Sequence, residues 1–228
     1  MTDNNLKRIK KNFFEYYYKF FKYDTRYSLI ILRDTKIIFA FQLFFNEWII
    51  EKKVTQQISL KEFDDTIDDY VNKLKNLFGE SLDTDIKIDE SKIDKIDFEI
   101  LKKIWDEYYY VYELKANISE YTIFDDMLIE LNNAISHLLQ IVIKDEESSN
   151  FNRAISHIYR ATLDGYKDII KENSIFLYFN ESLRNEYYDV REKESEIIGE
   201  KSIDKKIEVI NDYKKIALNI LEVKNLME

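Results

Sequence analysis

Positions 132–157 carry the sequence NNAISHLLQIVIKDEESSNFNRAISH, which begins and ends with nearly the same hexamer. Its first six residues return with one change as its last six, and each copy ends in one of the protein's two histidines, His137 and His157. The polar run 145–150 between the copies favours a turn and supplies helix-capping side chains. The stretch therefore predicts two helices joined as an antiparallel hairpin. With the turn centred on residue 147, the two histidines would lie at the same height.

The composition of the whole chain favours helices. Its 228 residues include no proline and three glycines, whereas average usage would give roughly 16 glycines and about 11 prolines. A β-sandwich or a doubly wound α/β fold needs many such turn residues, and a helical protein needs few. Because apolar residues make up 45% of the chain, a sizeable core is expected. The fold class predicted is all-α, an irregular multi-helix bundle with about seven to eight helices.

Apolar periodicity and capping residues give approximate helix limits. A strand pair at 27–32 and 36–45 is the alternative to the second helix, since both stretches are rich in β-formers. The Asp-rich, weakly periodic stretch 81–96 is predicted to be an acidic linker between an aromatic-rich helical region at 1–80 and a C-terminal bundle at 97–228. The predicted helices are 5–23, 27–54, 59–78, 97–116, 119–144, 150–172, 176–198 and 202–226.

Several classes of function are excluded or disfavoured. Without cysteine there is no disulfide framework, no Cys-ligated zinc and no thiol nucleophile. The chain has neither a Gly-rich phosphate loop nor a Glu-x-x-His pair, so no cofactor and no metal site are predicted. The longest apolar stretch, 37–50, is too short and too polar for membrane insertion. These features favour a cytoplasmic location. The net charge of −10 disfavours extended nucleic-acid binding but leaves a local RNA site possible.

Each histidine has polar neighbours at helical spacing, on its own face. Together the two helices would offer imidazoles, guanidiniums, carboxylates and an amide, which suit acid–base chemistry or the binding of a phosphate. The alternative is structural: the histidines pack in the hairpin, and the charged neighbours form surface ion pairs. The predicted catalytic residues are His137 and His157, and the predicted ligand or phosphate contacts are Asn133, Arg153, Arg160, Asp164 and Glu130.

The repeated hexamer resembles the motif of the helical HEPN superfamily, which comprises prokaryotic RNases and defence or toxin modules. That motif has an arginine, a polar residue, three variable residues and a histidine. In this chain Asn132 and Asn152 occupy the arginine position, and Arg153 is displaced by one. The resemblance implies a metal-independent ribonuclease or an RNA-binding module. In it, His137 and His157 would act as acid and base, with Arg153 and Arg160 contacting phosphate.

Three functions remain open at this stage. The leading hypothesis, reached largely by exclusion, is a non-catalytic helical protein-interaction module, a subunit or regulator in a prokaryotic defence or toxin–antitoxin type of system. Its aromatic-rich helices would bind a protein partner or a second copy of the chain. The second hypothesis is the HEPN-like ribonuclease or RNA-binding module. The third, an acidic inhibitor that mimics nucleic acid, is based only on the net charge.

Overall fold

A computed structural model describes residues 3–27, 34–51, 60–144 and 147–227. Within these ranges there is no strand, so the predicted all-α class is confirmed. In the described part of the chain eight α-helices have ten residues or more, and two short ones, Glu90–Ile93 and Ile175–Phe179, raise the count above the seven to eight expected. The helices are α1 Asp3–Tyr27, α2 Thr35–Phe44, α3 Leu60–Phe78, α4 Glu90–Ile93, α5 Phe98–Ile118, α6 Asp125–Lys144, α7 Glu147–Glu172, α8 Ile175–Phe179, α9 Glu181–Glu196 and α10 Ile203–Met227, with a π-helical segment at Phe45–Ile50.

The alternative of a strand pair is wrong over 36–45, where the chain is helical. The carboxylate of Asp34 accepts a hydrogen bond from the backbone N–H of Lys36 (3.2 Å) and caps α2. Most of the first predicted strand, 28–32, lies outside the described residues. At the C-terminal end of α3, Gly79 has φ +66° and its N–H donates to the carbonyl of Lys75 (2.8 Å), as is typical of a glycine that ends a helix.

The helix predicted over 176–198 is two helices. Asn180 adopts an extended backbone conformation between them, and its side-chain oxygen accepts a hydrogen bond from the N–H of Leu183 (3.1 Å). A polar N-cap of this kind starts a new helix where periodicity alone suggests continuity. Gly199, with φ +82°, lies just beyond α9, in a backbone conformation that favours glycine.

The described chain forms two compact units. The first unit comprises Met1–Phe98 and Leu131–Ala154, and the second comprises Glu99–Glu130 and Ile155–Glu228. Residues 131–154 of the α6–α7 hairpin belong to the same unit as α1. The boundaries at 80 and 96 stay a prediction. Tyr17 of α1 donates its hydroxyl hydrogen to the backbone and side-chain oxygens of Asn132 in α6 (2.7 Å each).

The first unit has an aromatic core. Phe13, Tyr17 and Phe20 of α1 are fully buried, and the Phe13 ring lies against Phe41 of α2 at 5.7 Å between centroids. Phe63 of α3 contacts the same Phe41 ring at 5.0 Å. Six aromatic residues of α1 are therefore core residues of this unit, and burial of their rings supplies much of its hydrophobic stabilisation. They are Phe13, Phe14, Tyr17, Phe20, Tyr23 and Tyr27.

The second unit also has large aromatic side chains in its core. The buried ones include Trp105 and Tyr108 of α5, Tyr166 of α7 and Tyr213 of α10. Gly165 allows α7 to approach its neighbours, since a Cβ there would lie 3.0 Å from the sulfur of Met127. Within the described residues, no helix combines the length and apolar character needed to cross a membrane.

Candidate functional site

The second histidine of the repeat lies in a charged cluster of the second unit. Nδ1 of His157 in α7 is 2.6 Å from Oε2 of Glu130 in α6. The other carboxylate oxygen of Glu130 accepts a hydrogen bond from Nη1 of Arg160 (3.1 Å). The side chains of His157 and Glu130 are only 19% and 18% exposed, whereas Arg160 is 56% exposed. The predicted residues Glu130, His157 and Arg160 therefore do come together, and Glu130 is the shared acceptor.

Asp164, one turn after Arg160 on α7, adds a second half-buried carboxylate. Burial raises the pKa of the Asp164 carboxyl. The positive charge of Lys167 opposes this rise, and the negative charge of Glu130 adds to it. The cluster thus contains two partly desolvated carboxylates that interact unfavourably with each other, with Arg160 reducing that repulsion.

The arrangement of His157 and Glu130 has a defined chemical capacity. A carboxylate that accepts the Nδ1–H of a histidine holds the ring in one orientation and favours the tautomer whose Nε2 can accept a proton. The exposed guanidinium of Arg160 is a suitable partner for an anionic ligand. These groups can support proton transfer or anion binding beside α7.

The first histidine has a different environment in the first unit. Nδ1 of His137 lies 3.0 Å from Oδ1 of the buried Asn150. The pairs His137–Asn150 and His157–Glu130 are both symmetric about a point between residues 143 and 144. The expected register centred on residue 147 is therefore wrong, because the hairpin is centred about three residues earlier. Each histidine has a polar side chain of the facing helix within hydrogen-bond distance of its Nδ1.

Two predicted contact residues, Arg153 and Asn133, lie on the α6–α7 hairpin in the first unit. Arg153 is exposed in the first unit. Asn133 is half-buried, and its backbone oxygen accepts a hydrogen bond from the hydroxyl of Ser136 (2.7 Å). Asn132, which stands at the arginine position of the HEPN-like hexamer, is buried and bonded to Tyr17. In this chain that position has a packing partner.

Sequence reasoning missed a second feature of the second unit, the short helix α8. Its five residues, IFLYF, are all apolar, and none of them is buried. Ile175, Tyr178 and Phe179 are 55%, 73% and 77% exposed. Single exposed apolar residues are ordinary on a protein surface, but a contiguous group is a mark of an interaction site. The sequence does show this helix as five consecutive apolar residues, 175–179, with polar residues on either side. The prediction of a single helix over 176–198 hid this pattern.

Neither a scan against protein-family models nor searches of curated proteins and solved structures return a match to this chain. The likeness to HEPN modules stays a prediction from the repeated hexamer.

Proposed function

We propose that this chain is a non-catalytic helical protein-interaction module. The observation that carries the proposal is the exposure of the α8 surface, defined here as Ile175, Tyr178 and Phe179. Aromatic residues of this kind are enriched among the residues that dominate protein interfaces. The resemblance of the repeated hexamer to HEPN modules supports a place for it as a subunit or regulator in a prokaryotic defence or toxin–antitoxin type of system.

The energetics favour a partner at this surface. Full burial of a large apolar side chain contributes about 1.5–3 kcal/mol relative to leaving it in water. In the described chain most of that contribution is unrealised for Tyr178 and Phe179, which are more than 70% exposed. A partner that covers both rings would gain several kcal/mol of gross hydrophobic stabilisation, before the entropic cost of association is subtracted.

The α8 surface is also held in place by the backbone around it. The N–H of Leu177 donates to the carbonyl of Ser174 (3.1 Å), and Nη1 of Arg184 donates to the carbonyl of Tyr178 (3.2 Å). The rings of Tyr178 and Phe179 meet edge to face at 5.1 Å between centroids. A surface that is ordered before binding loses less conformational entropy when a partner docks, which strengthens association.

A matched pair of substitutions tests the proposal in the cells that produce the protein. Tyr178→Ser removes an exposed ring from the α8 surface, and Tyr188→Ser removes an exposed ring from α9. The affinity-tagged chain is purified under mild conditions, and the proteins that accompany it are quantified by mass spectrometry. We expect Tyr178→Ser to reduce at least one accompanying protein tenfold or more, with Tyr188→Ser close to wild type. Equal recovery with both variants, or no accompanying protein with the wild type, would contradict the proposal.

A second candidate function is acid–base chemistry on RNA, and it is favoured by the hydrogen bond between Glu130 and His157 beside the exposed Arg160. Its test is cleavage of a labelled single-stranded RNA by the purified protein without added metal. This function requires cleavage that His157→Gln abolishes. If His157→Gln and wild type leave the RNA equally intact, the cluster is structural.

A further inference from the structure

A second apolar surface of the second unit lies between the C-terminal halves of α5 and α10. It is a groove of about 440 Å³ lined by Leu114 and Ile118 of α5 and by Leu218, Leu221, Glu222 and Leu226 of α10. Ile118, Leu218 and Leu226 are exposed. We call this surface the α5–α10 groove. It does not include any residue of the α8 surface.

The two helices of the groove run parallel. Nζ of Lys214 in α10 donates to Oε2 of Glu107 in α5 (3.0 Å) and lies 3.8 Å from the ring centroid of Tyr110. Further along both helices, Ile118 and Leu221 line the same groove. Because the two helices run in the same direction, Ile118 at the end of α5 and Met227 at the end of α10 lie toward the same end of the groove.

This geometry gives the end of the groove a negative electrostatic character. The C-terminus of α5 carries a partial negative charge of about half an electron. The last-turn cations Lys115 and Lys224 offset part of the negative charge at this end, and Lys115 is itself paired with Asp168. The carboxylate of Glu222, which is exposed, adds a full charge to the lining. The second unit as a whole has 23 acidic and 15 basic residues, a net charge of −8. An apolar groove with an acidic end is complementary to an apolar surface flanked by cations.

We propose that the α5–α10 groove binds an amphipathic helix of a partner protein, with Leu or Ile side chains in the groove and Lys or Arg side chains toward its acidic end. An apolar helix face that is laid in a groove between two helices is a common mode of peptide recognition. The inference rests on the proposed function as an interaction module but uses a surface separate from α8. It predicts that the partner segment is basic and helical.

A second copy of this chain fits the groove less well. Self-association about a two-fold axis would bring together two copies of Glu222 and two copies of the α5 C-terminus, and like charges across an interface oppose binding. A basic helix neutralises the same charges. The electrostatics therefore favour a partner of opposite charge.

The experiment uses a synthetic peptide as the probe. It is an 18-residue fluorescein-labelled helix with Leu at the i, i+3, i+4 and i+7 positions of each two turns and Lys elsewhere, and a matched peptide carries Glu in place of Lys. Binding to the full chain is measured by fluorescence anisotropy at 0.15 M salt. We expect the Lys peptide to bind at least tenfold more tightly than the Glu peptide.

Variants locate the binding. Leu226→Asp alters a highly exposed groove residue and should leave the fold intact, which circular dichroism verifies. Glu222→Lys reverses a groove charge, and Glu192→Lys makes the same change in net charge at an exposed position of α9. We expect Leu226→Asp and Glu222→Lys each to weaken the Lys peptide at least fivefold, and Glu192→Lys to change its affinity less than twofold.

Three results would overturn the inference. The first is that the Lys peptide does not bind, and the second is that Glu222→Lys and Glu192→Lys weaken its binding equally. The third is that the wild-type chain is a dimer and that Leu226→Asp dissociates it. The Tyr178→Ser comparison separates this inference from the proposed function. If the peptide fails while Tyr178→Ser still removes an accompanying protein, only the groove is wrong. If the peptide binds as expected and Tyr178→Ser has no effect, the α8 surface is wrong instead.

Discussion

Glu130→Gln is the most informative single change in the charged cluster. It keeps the shape of the side chain and one carbonyl oxygen, but it removes the charge that His157 and Arg160 share. Glu130 and His157 are each less than a fifth exposed, so solvent screens their interaction only weakly. A hydrogen bond to a charged group in such a setting contributes about 1.5–3 kcal/mol.

Two considerations set the expected loss. The glutamine retains an acceptor, and removal of the charge relieves the repulsion that Glu130 exerts on Asp164. We therefore expect Glu130→Gln to lower the free energy of unfolding by about 1–2 kcal/mol, within the range for hydrogen bonds to charged groups. Arg160 is more than half exposed, and exposed ion pairs contribute less than about 1 kcal/mol. Arg160→Gln should thus cost less than half as much.

Urea unfolding at pH 7 followed by circular dichroism measures both variants. With a slope of about 2 kcal/mol per M, Glu130→Gln should shift the midpoint down by about 0.5–1 M. A double-mutant cycle with His157→Gln isolates the pairwise coupling. An unchanged midpoint for Glu130→Gln, an equal loss for Arg160→Gln, or a cycle without coupling between Glu130 and His157 would show that Glu130 does not stabilise the cluster as its shared acceptor.

Three further predictions concern the second unit. Because burial raises the pKa of Asp164, the folded chain binds its proton more tightly than the unfolded chain, so Asp164→Asn should gain stability relative to wild type as pH rises above about 4, measured by urea midpoints from pH 3 to 7. Burial opposes the lowering of the Glu194 pKa, but hydrogen bonds from Lys167 and Tyr213 outweigh it. The resulting stability is present above about pH 4.3 and is lost as pH falls through the lower folded pKa, so the advantage of wild type over Glu194→Gln should shrink below pH 4 in the same assay. Gly165→Ala places a Cβ 3.0 Å from the sulfur of Met127; overpacking of about 1–3 kcal/mol exceeds the helix-propensity gain of about 1 kcal/mol, so calorimetry should show a lower Tm, and a higher Tm would contradict the tight packing.

The helical class could be predicted from sequence because it depends on local properties. The scarcity of glycine and proline, the capping position of Gly79 and the apolar periodicity of α3 all act over a few residues. The end of a helix at Asn180 was harder to find, since an asparagine within a continuous pattern is also compatible with an uninterrupted helix. Capping by its side chain depends on a backbone geometry that the residue type favours without requiring it.

The site residues could be predicted only in part, for a different reason. Helical spacing placed Arg160 and Asp164 on the same face as His157, and the structure shows Arg160 and His157 at the same carboxylate. The pairing of α6 with α7 is non-local, and a shift of three residues in the hairpin changes which side chains face each other. The partner of His157 is therefore Glu130 of α6, although Glu130 lies at helical spacing from His137 on the same helix. The membership of residues 131–154 in the first unit also depends on long-range contacts, such as the hydrogen bond from Tyr17 to Asn132, which helical spacing does not reveal.

The most direct test of the interaction module is photo-crosslinking from the α8 surface in the producing cells. Phe179, 77% exposed, is replaced by p-benzoylphenylalanine, and the matched control carries the same group at Glu192, an exposed position of α9. The proposal predicts a discrete crosslinked protein from position 179 that is absent from position 192. No crosslinked protein from position 179, or the same products from both positions, would contradict it.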